Sequence, residues 1–398
     1  MAKINIVTPS FDSRQFSGGI LCLLEYAHGL TVLGHQVNVV PVLPSRPPLW
    51  FPKTYGTLVS PRLRQRLANL PSRLAALAWA IIARRPVQEV VPLLEGTWDH
   101  LALVFPHYFG PEIRQGSSLI YLREYMPEAD VSIASSAPTA LPVALYGKGK
   151  KFYFCQHYEP LFKNESTNPM VAEVEALRSY HLGLNLIANS SWLAGKLRSV
   201  GGGEVRVCAN AIDHNIYNGQ PGRTYREREF IFISYGGRNA CWKGFETMAR
   251  AMALARQMLP SWNLRWRVYG DALLSPDNPI ACYESLGFLQ PRDLAQAYRD
   301  AHALLSASWY ESFPLFPIEA MACGLPVITS QPGTEEYAVA GETAAVIDPH
   351  SPQDIADAMV RLVLEPEYAS KLAHAGWQKS NEFTWERSAT RMERILLG

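Results

Sequence analysis

The sequence has 398 residues, of which 48% are hydrophobic and 18% are charged, and its formal net charge is +1. This length predicts two domains of ordinary size, and the hydrophobic content is sufficient for two cores and excludes a disordered chain. The near-neutral charge excludes a protein whose overall charge attracts nucleic acid. The six cysteines are scattered without a close pair, which indicates a reducing compartment and no zinc site.

The sequence pattern predicts neither an export signal nor a membrane-spanning segment. The first residues, MAKINIV, enter a strand directly, so no signal peptide is expected. The longest strongly apolar run, residues 74–83, is too short to span a bilayer. We therefore expect a cytoplasmic protein.

Apolar, strand-like segments alternate with helical stretches through the first half of the chain. These segments are KINIVTP, QVNVVPV, HLALVF, VSIASS, KFYFCQ, LNLIANS and VRVCANA. Such alternation predicts an α/β domain with a parallel sheet covered by helices on both faces. No G-x-G-x-x-G follows the first strand, so a dinucleotide site of the NAD type is not expected.

Two adjacent glycines, Gly18 and Gly19, precede a predicted helix over residues 20–33. A helix N-terminus behind two glycines allows a ligand to approach the backbone closely. A turn that requires unusual backbone angles explains the same two residues equally well.

Residues 61–85 contain six arginines and no acidic residue, together with an apolar set of Leu, Ala, Trp and Ile. A basic amphipathic helix of this kind indicates peripheral contact with a membrane surface or with an anionic acceptor. A helix that packs on the sheet and exposes its arginines to solvent is the alternative. We favour the alternative because Pro71 interrupts any single long helix.

A histidine, His157, directly follows the predicted strand KFYFCQ. The carboxyl end of a parallel strand is where open α/β sheets bind ligands, so this position favours a functional role over a purely structural one. His107 follows an earlier predicted strand and is a competing candidate, which we rank second.

The pattern restarts after a polar, Gly- and Pro-containing linker over residues 218–229. The strand EFIFISY ends in two glycines, the second of which is Gly237, and Arg238 and Lys243 follow in a loop before a helix. Two cations at the carboxyl end of a strand are suited to hold a diphosphate, Arg as a fork and Lys as a point charge. Ordinary surface charge is the alternative.

Residues 306–330, SASWYESFPLFPIEAMACGLPVITS, predict a loop, a helix over residues 315–323 and a strand, preceded by the buried strand HALLSAS. Pro317 fits the first helical turn, and Gly324 with Pro326 predicts the helix stop. The helix N-terminus near Phe313, Pro314 and Leu315 is directed at the ligand crevice and suits a phosphate.

Two carboxylates, Glu311 on this loop and Glu319 in the helix, lie eight positions apart. Carboxylates repel phosphate, so we expect them to accept hydrogen bonds from sugar and ribose hydroxyls. A solvated loop carboxylate and a helix-surface carboxylate are the alternative for either residue considered separately.

The pattern Glu311-x7-Glu319, followed by EAMACGLPVI, closely resembles the donor-site motif of the family 4 retaining glycosyltransferases of the GT-B fold. Three further segments are similar to the family: Gly18-Gly19 before a helix, His157-Tyr158-Glu159-Pro160 with one residue inserted, and Gly237-Arg238 followed by Lys243-Gly244 at the family's spacing. The resemblance covers most of the second half of the chain and, more faintly, the first half.

The resemblance implies a GT-B fold of two Rossmann-like domains whose parallel sheets face a central cleft. It implies an acceptor-side domain over residues 1–217, to which residues 383–398 return, and a nucleotide-sugar-binding domain over residues 218–382. The base contacts lie near Gly270, Phe288 and Leu289. A departure concerns Ser312 and Pro314, where family members often have glycine, because proline cannot donate a backbone N–H.

The resemblance implies that the remaining residues act together in one reaction site. Glu311 contacts the donor sugar, Glu319 binds the ribose hydroxyls, and His157 approaches the sugar being transferred. Arg238 and Lys243 stabilise the diphosphate leaving group, so no metal ion or other cofactor is implied.

The implied function is retaining transfer of a hexose or deoxyhexose from a nucleotide sugar to a glycan, lipid-linked or small-molecule acceptor. The segments FYFCQHYEPLFKNES and NLIANSSWLAGKL look similar to bacterial rhamnosyltransferases of cell-surface glycan assembly, which implies a dTDP-rhamnose donor. UDP- and GDP-hexoses remain open. A nucleotide-sugar epimerase of the same fold and a non-catalytic scaffold that binds sugar nucleotides are the alternative functions.

Overall fold

A computed structural model describes residues 1–14, 16–42, 45–59, 122, 125–165, 169–222, 228–236, 241–270 and 282–398. The contacts divide the chain into two compact units. Unit 1 contains Met1–Ala188, Ala194–Arg206 and Ala389–Gly398, and unit 2 contains Asn189–Leu193 and Val207–Ser388. The domain limits predicted at residues 217/218 and 382/383 remain predictions. The predicted strand HLALVF, His107 and the basic segment 61–85 lie outside the described residues.

Unit 1 contains a seven-stranded sheet with the order β3-β2-β1-β4-β5-β6-β7. Its strands are β1 Lys3–Thr8, β2 Gln36–Pro41, β3 Thr57–Leu58, β4 Val131–Ala134, β5 Lys150–Cys155, β6 Asn185–Ala188 and β7 Val205–Val207. Its described helices are α1 Gly18–Val32, α2 Ala137–Tyr146, α3 Pro169–Ser179 and α4 Ser191–Ser199, with a 3-10 helix at Glu159–Glu165. Of these, α4 begins in unit 2 by the contact division.

The strands of this sheet are parallel, as the alternating pattern predicts. Ile4 pairs with Val37 on one side and with Val131 on the other. Five of the six residues of β1 are buried, which is typical of a parallel strand covered on both faces. The short strand β3, which the sequence pattern did not predict, pairs with β2.

Unit 2 contains a six-stranded parallel sheet with the order β10-β9-β8-β11-β12-β13. Its strands are β8 Glu229–Tyr235, β9 Asn263–Tyr269, β10 Glu284–Gly287, β11 Ala303–Leu305, β12 Val327–Ser330 and β13 Ala345–Ile347. Its helices are α5 Phe245–Met258, α6 Pro291–Arg299, α7 Leu315–Ala322, α8 Pro352–Leu364, α9 Pro366–Ser380 and α10 Trp385–Leu397, which continues into unit 1, with a 3-10 helix at Cys241–Lys243.

The side chains of β8 alternate between two hydrophobic clusters. Phe230 and Phe232 belong to one cluster, and Ile231 and Ile233 belong to the other. Because successive side chains of a strand point to opposite faces, this sheet is buried on both faces. The prediction of an α/β fold with parallel sheets is confirmed in both units.

The strand order brings two loops of unit 2 together. Strands β8 and β11 are neighbours, with Ala303 paired to Phe232. The loop after β8 contains Lys243, and the loop after β11 contains Glu311. Since the strands are parallel, both loops leave the same edge of the sheet. Within the described ranges, no helix is both long and apolar enough to cross a membrane.

Candidate functional site

Lys243 and Glu311 form an ion pair at the carboxyl edge of the unit 2 sheet. Only 14% of the Lys243 side-chain surface and 8% of the Glu311 side-chain surface are exposed to solvent. Water therefore screens this ion pair weakly. The Ser308 hydroxyl donates a second, longer hydrogen bond of 3.4 Å to Glu311 Oε1. The cation predicted to hold a diphosphate and the carboxylate predicted to hold a sugar therefore contact each other directly.

Aromatic rings surround the Lys243 ammonium. Lys243 Nζ lies 4.4 Å from the ring centroid of Trp242, 5.6 Å from that of Tyr235 and 5.9 Å from that of Phe316. Tyr235 and Phe316 stack at 4.6 Å between centroids. These rings place electron-rich surfaces beside a desolvated cation, which stabilises it without consuming its three N–H donors. The ammonium can therefore keep Glu311 and still donate to a bound anion.

The backbone at Glu311 is held by a close approach of Gly333. A Cβ on Gly333 would lie 2.2 Å from the Glu311 carbonyl oxygen, and Gly333 has a φ of +86°. Only glycine fits both conditions, because a side chain would overlap main-chain atoms and strain the left-handed backbone. The loop with Glu311 is thus fixed by main-chain packing as well as by the ion pair.

Glu319 lies in α7 and is buried, with 5% of its surface exposed. Burial raises the pKa of its carboxyl to about 8, and a hydrogen bond with Tyr217 opposes that rise. Among the described residues, Glu319 Oε2 has no hydrogen-bond partner although it is buried. A buried polar oxygen without a partner is costly, so this atom is suited to a ligand hydroxyl.

The start of α7 supplies fewer N–H groups than a typical helix. Pro314 is the N-cap residue, and Pro314 and Pro317 have no N–H, which leaves Leu315 and Phe316 as the first donors. The Tyr337 hydroxyl donates to the Pro314 carbonyl at 2.7 Å. Any phosphate bound here therefore depends on two backbone donors and on neighbouring cations.

Phe313 lies directly before the cap and is 6% exposed. Its ring packs against Tyr337 and Phe383, with centroid distances of 5.4 and 5.8 Å. The side chain is thus part of the core, and only the main chain of Phe313 is available to a donor.

The residues predicted to lie near the base follow the carboxyl ends of β9 and β10. The Gly270 N–H donates to the Gly287 carbonyl at 2.9 Å. Phe288 is 46% exposed, whereas Leu289 packs partly against the hydrophobic cluster of α6 and α7. The exposed phenyl ring of Phe288 offers a flat apolar surface. Gly237 and Arg238 lie outside the described residues.

In unit 1, Gly18 and Gly19 are the first two residues of α1, and neither has a positive φ. The alternative of a turn with unusual backbone angles is therefore wrong, because the helix begins two residues earlier than predicted. A Cβ on Gly18 would meet no atom within 4 Å, and one on Gly19 would lie 3.8 Å from the Gln156 amide. Space is available beside this helix terminus.

His157 follows β5 by two residues and is exposed. Its ring lies 5.2 Å from the ring of Phe162 in an edge-on arrangement. An exposed imidazole at the carboxyl end of a strand has the access that a ligand-binding role requires.

Glu159, which we did not predict as a site residue, organises the loop around His157. Its Oε1 accepts from the Tyr153 hydroxyl at 2.9 Å and from the Ala137 N–H, at the start of α2, at 2.8 Å. Its own N–H donates to the Tyr180 hydroxyl at 3.1 Å. Desolvation of its carboxylate raises its pKa to about 7. An acidic residue two positions after a strand-end histidine was the available signal.

We also did not predict from the sequence that Trp242 and Tyr217 lie beside the site residues. Trp242 is adjacent to Lys243 in the sequence, so its aromatic ring was a signal that we did not use. Tyr217 precedes Glu319 by 102 positions, and no local pattern connects them.

Residues 229–365 match the family model described as glycosyl transferases group 1. The D-inositol 3-phosphate glycosyltransferase of Rhodococcus opacus is 35% identical over 171 residues, which cover 39% of this chain and 38% of that protein. The matched part thus spans about two fifths of the length of this relative.

Solved structures match over nearly the whole chain. Sucrose-phosphate synthase from Thermosynechococcus elongatus has a TM-score of 0.64 at 16% identity and covers 99% of this chain and 98% of its own. Anabaena HepE in complex with UDP-glucose has a TM-score of 0.62 at 16% identity and covers 100% of both chains. The fold is therefore GT-B, and residues 229–365 are similar to the glycosyl transferases group 1 domain.

Proposed function

We propose that this protein is a retaining glycosyltransferase that moves a hexose or deoxyhexose from a nucleoside diphosphate sugar to an acceptor hydroxyl. The observation that supports this most strongly is the buried Lys243–Glu311 pair, at the carboxyl edge of the sheet, within the segment that matches glycosyl transferases group 1. Such a pair places a phosphate-binding cation next to a hydroxyl-binding carboxylate.

In the proposed reaction, the bond between the sugar C1 and the diphosphate oxygen breaks, and a bond from C1 to the acceptor oxygen forms on the same face. The departing phosphate takes the acceptor proton. Lys243 and Arg238 stabilise the charge that develops on the leaving group, with help from the N–H groups at the start of α7. Charge-assisted hydrogen bonds contribute about 1.5–3 kcal/mol each, so two cations supply a substantial share.

The remaining residues orient the donor. Glu311 accepts from sugar hydroxyls, Glu319 from ribose hydroxyls, and His157 faces the sugar being transferred. We propose that the base lies near Gly270, Phe288 and Leu289, and that Gly18 and Gly19 allow the donor to approach α1. Because cations perform the task that a metal ion performs in other transferases, we propose a reaction without a metal cofactor.

The identity of the donor is a finer proposal. The resemblance to bacterial rhamnosyltransferases favours dTDP-rhamnose, and the UDP-glucose complex of HepE, which shares the fold, makes UDP-glucose the second candidate. We propose a glycan or lipid-linked acceptor in cell-surface polysaccharide biosynthesis and a cytoplasmic location, with peripheral membrane contact through residues 61–85 as an option.

Thermal shift and turnover test this function together. UDP, GDP and dTDP, each at 1 mM and each with its common sugars, are added to the wild-type protein and to the Arg238→Gln variant. A ligand at a hundred times its Kd stabilises a protein by about 2.7 kcal/mol, or roughly 5–10 °C for a domain of this size. We expect one nucleotide family to give this shift and Arg238→Gln to lose it.

The control is Arg250→Gln, because Arg250 is exposed and pairs with Glu246 on the same helix. It should keep the full shift. Release of the same nucleoside diphosphate in the presence of EDTA, with a product that keeps the anomeric configuration of the donor, would support retaining, metal-independent transfer. The absence of any shift with all three nucleotide families would contradict the proposal, and binding without turnover on any acceptor would favour the scaffold.

A further inference from the structure

The loop after β8 and the loop after β11 are joined by three successive contacts. The Trp309 N–H donates to the Trp242 carbonyl at 2.7 Å. The ring of Tyr310 stacks on that of Trp242, with 5.4 Å between the centroids and 16° between the planes. The Lys243 ammonium pairs with Glu311. Trp242 is therefore fixed through its main chain and through its ring.

The residue after Lys243 closes the same junction. Gly244 has a φ of +71°, and a Cβ at this position would overlap the Ala307 carbonyl group. Because any side chain at Gly244 would push the two loops apart, the main chains can touch only with glycine here. The Trp242 side chain is 6% exposed, so its indole ring has little freedom to move away from the junction.

The face of this indole ring lies beside the Lys243 ammonium. Lys243 Nζ is 4.4 Å from the Trp242 centroid, compared with 5.6 Å for Tyr235 and 5.9 Å for Phe316. The ring quadrupole attracts a cation over its face, and indole does so more strongly than the other aromatic rings. The attraction increases where water is excluded, and only 14% of the Lys243 side chain is exposed.

This arrangement prepares the cation for an anionic ligand. A lysine side chain normally has to lose its conformational freedom and part of its strong hydration before it can bind a phosphate. A side chain that is already ordered and desolvated avoids these costs at the moment of binding. An aromatic face also carries no net negative charge, so it does not repel a phosphate as a second carboxylate would.

We propose that Trp242 is a positioning residue whose indole face fixes the Lys243 ammonium, so that the cation meets the diphosphate of the donor already oriented and desolvated. This inference rests on the proposed function, since it requires a nucleoside diphosphate donor. Trp242 acts through Lys243 and does not contact the reacting atoms. Loss of the aromatic face should therefore weaken diphosphate binding even where the space is filled by another side chain.

The experiment compares wild type, Trp242→Phe and Trp242→Met by isothermal titration calorimetry with UDP, GDP and dTDP in turn. Phenylalanine retains an aromatic face, whereas methionine fills the space with a flexible side chain that has none. Trp266→Met is the matched control. Trp266 is 1% exposed in the same unit, and its indole N–H donates to the Ser234 hydroxyl at 2.9 Å. The two Trp242 variants are also made in a Lys243→Met background.

For whichever nucleoside diphosphate binds, we expect Kd to rise about tenfold or more in Trp242→Met and to stay within about threefold of wild type in Trp242→Phe. Trp266→Met should lower Tm because a buried ring is lost, but it should leave Kd unchanged. In the Lys243→Met background, the two Trp242 variants should bind equally, because no cation remains for the ring to fix.

Two results would overturn the inference. One is an equal Kd in folded Trp242→Phe and Trp242→Met, and the other is a difference between them that persists without Lys243. If the Lys243→Met variants bind too weakly to titrate, the comparison of the two Trp242 variants with the Trp266→Met control decides.

A second variant covers the case in which Trp242→Met does not fold. Phe316→Met removes another ring beside the ammonium, and it should raise Kd about threefold because this ring is farther away. An unchanged Kd in Phe316→Met would then contradict the inference. Failure of wild type to bind any of the three nucleotides would instead contradict the proposed function itself.

Discussion

Two carboxylates, one in each unit, lie near the carboxyl end of a parallel strand and are kept from water in different ways. Glu311 in unit 2 is 8% exposed and pairs with the Lys243 ammonium. Glu159 in unit 1 is held by neutral donors, the Tyr153 hydroxyl and the first N–H of α2. A cation neutralises one site, whereas at the other site desolvation favours neutralisation by a proton.

The difference indicates which of the two carboxylates lies in a site that can bind a charged ligand. A buried ion pair next to a helix N-terminus keeps a full positive charge available for an anionic ligand. A carboxyl group held by dipoles fixes a loop, in this case the loop that presents His157. The Lys243–Glu311 ion pair is therefore suited to binding an anionic substrate. The hydrogen bonds of Glu159 are suited to holding the loop with His157 in place.

Removal of Lys243 should have the largest effect. In Lys243→Met, Glu311 remains buried without its cation, which costs about 3–5 kcal/mol of unfolding free energy in comparable sites. Donor turnover should also fall to background. Urea unfolding of the variant measures the first effect, and nucleotide release measures the second.

The control for this change is Lys148→Met, whose partner Glu128 is 82% exposed. Such surface pairs contribute about 0–1 kcal/mol, so its stability should hardly change. The double variant Lys243→Met with Glu311→Gln should recover at least half of the lost stability. Equal losses in both single lysine variants would show that the Lys243–Glu311 pair is solvated and would remove the contrast between the two units.

Replacement of Glu159 should have an intermediate, pH-dependent effect. Its pKa is raised from 4.5 to about 7, so the folded protein binds more protons than the unfolded chain between these values. The stability from this group is therefore complete below about pH 4.5 and is lost as pH rises through 7. In Glu159→Gln the amide oxygen keeps both hydrogen bonds, and this loss should disappear.

Thermal melts from pH 5 to pH 8 measure this effect. Relative to wild type, Glu159→Gln should gain about 1–2 kcal/mol across that interval, after allowance for partial solvation. Glu128→Gln, a change at an exposed site in the same unit, should show no such gain. A gain of the same size at every pH would mean that Glu159 does not titrate in this range.

Substitution of Gly18 should have the smallest effect on stability. A Cβ would meet no atom within 4 Å and the residue is helical, so Gly18→Ala should change the unfolding free energy by less than about 1 kcal/mol, in the stabilising direction. If the donor approaches this helix terminus, kcat/KM should nevertheless fall about tenfold or more.

Gly195→Ala is the matched control, because Gly195 is also helical and a methyl group added there would meet no atom within 4 Å. It should give the same small gain in stability and full activity. Full activity in Gly18→Ala as well would exclude close approach of a ligand to this glycine and would leave only unit 2 as the donor side.

The sequence by itself determined much of the second unit. The alternation of strands and helices predicted both parallel sheets. Pro317 in the first turn and Gly324 with Pro326 after the last turn predicted α7 to within one residue. These features were accessible because they depend on neighbours within a few turns of chain, where local backbone preferences and hydrophobic periodicity are decisive.

Tertiary structure decided the partners of those residues. Strand order placed β8 beside β11 and so joined Lys243 to Glu311 across 68 positions. The fold brought Tyr217 close enough to Glu319 for the two groups to affect each other's pKa, and it brought the Ala137 N–H at the start of α2 to Glu159. Burial then shifted the carboxyl pKa values. No local pattern encodes such contacts, because a desolvated charge is stabilised by whichever group the folded chain places next to it.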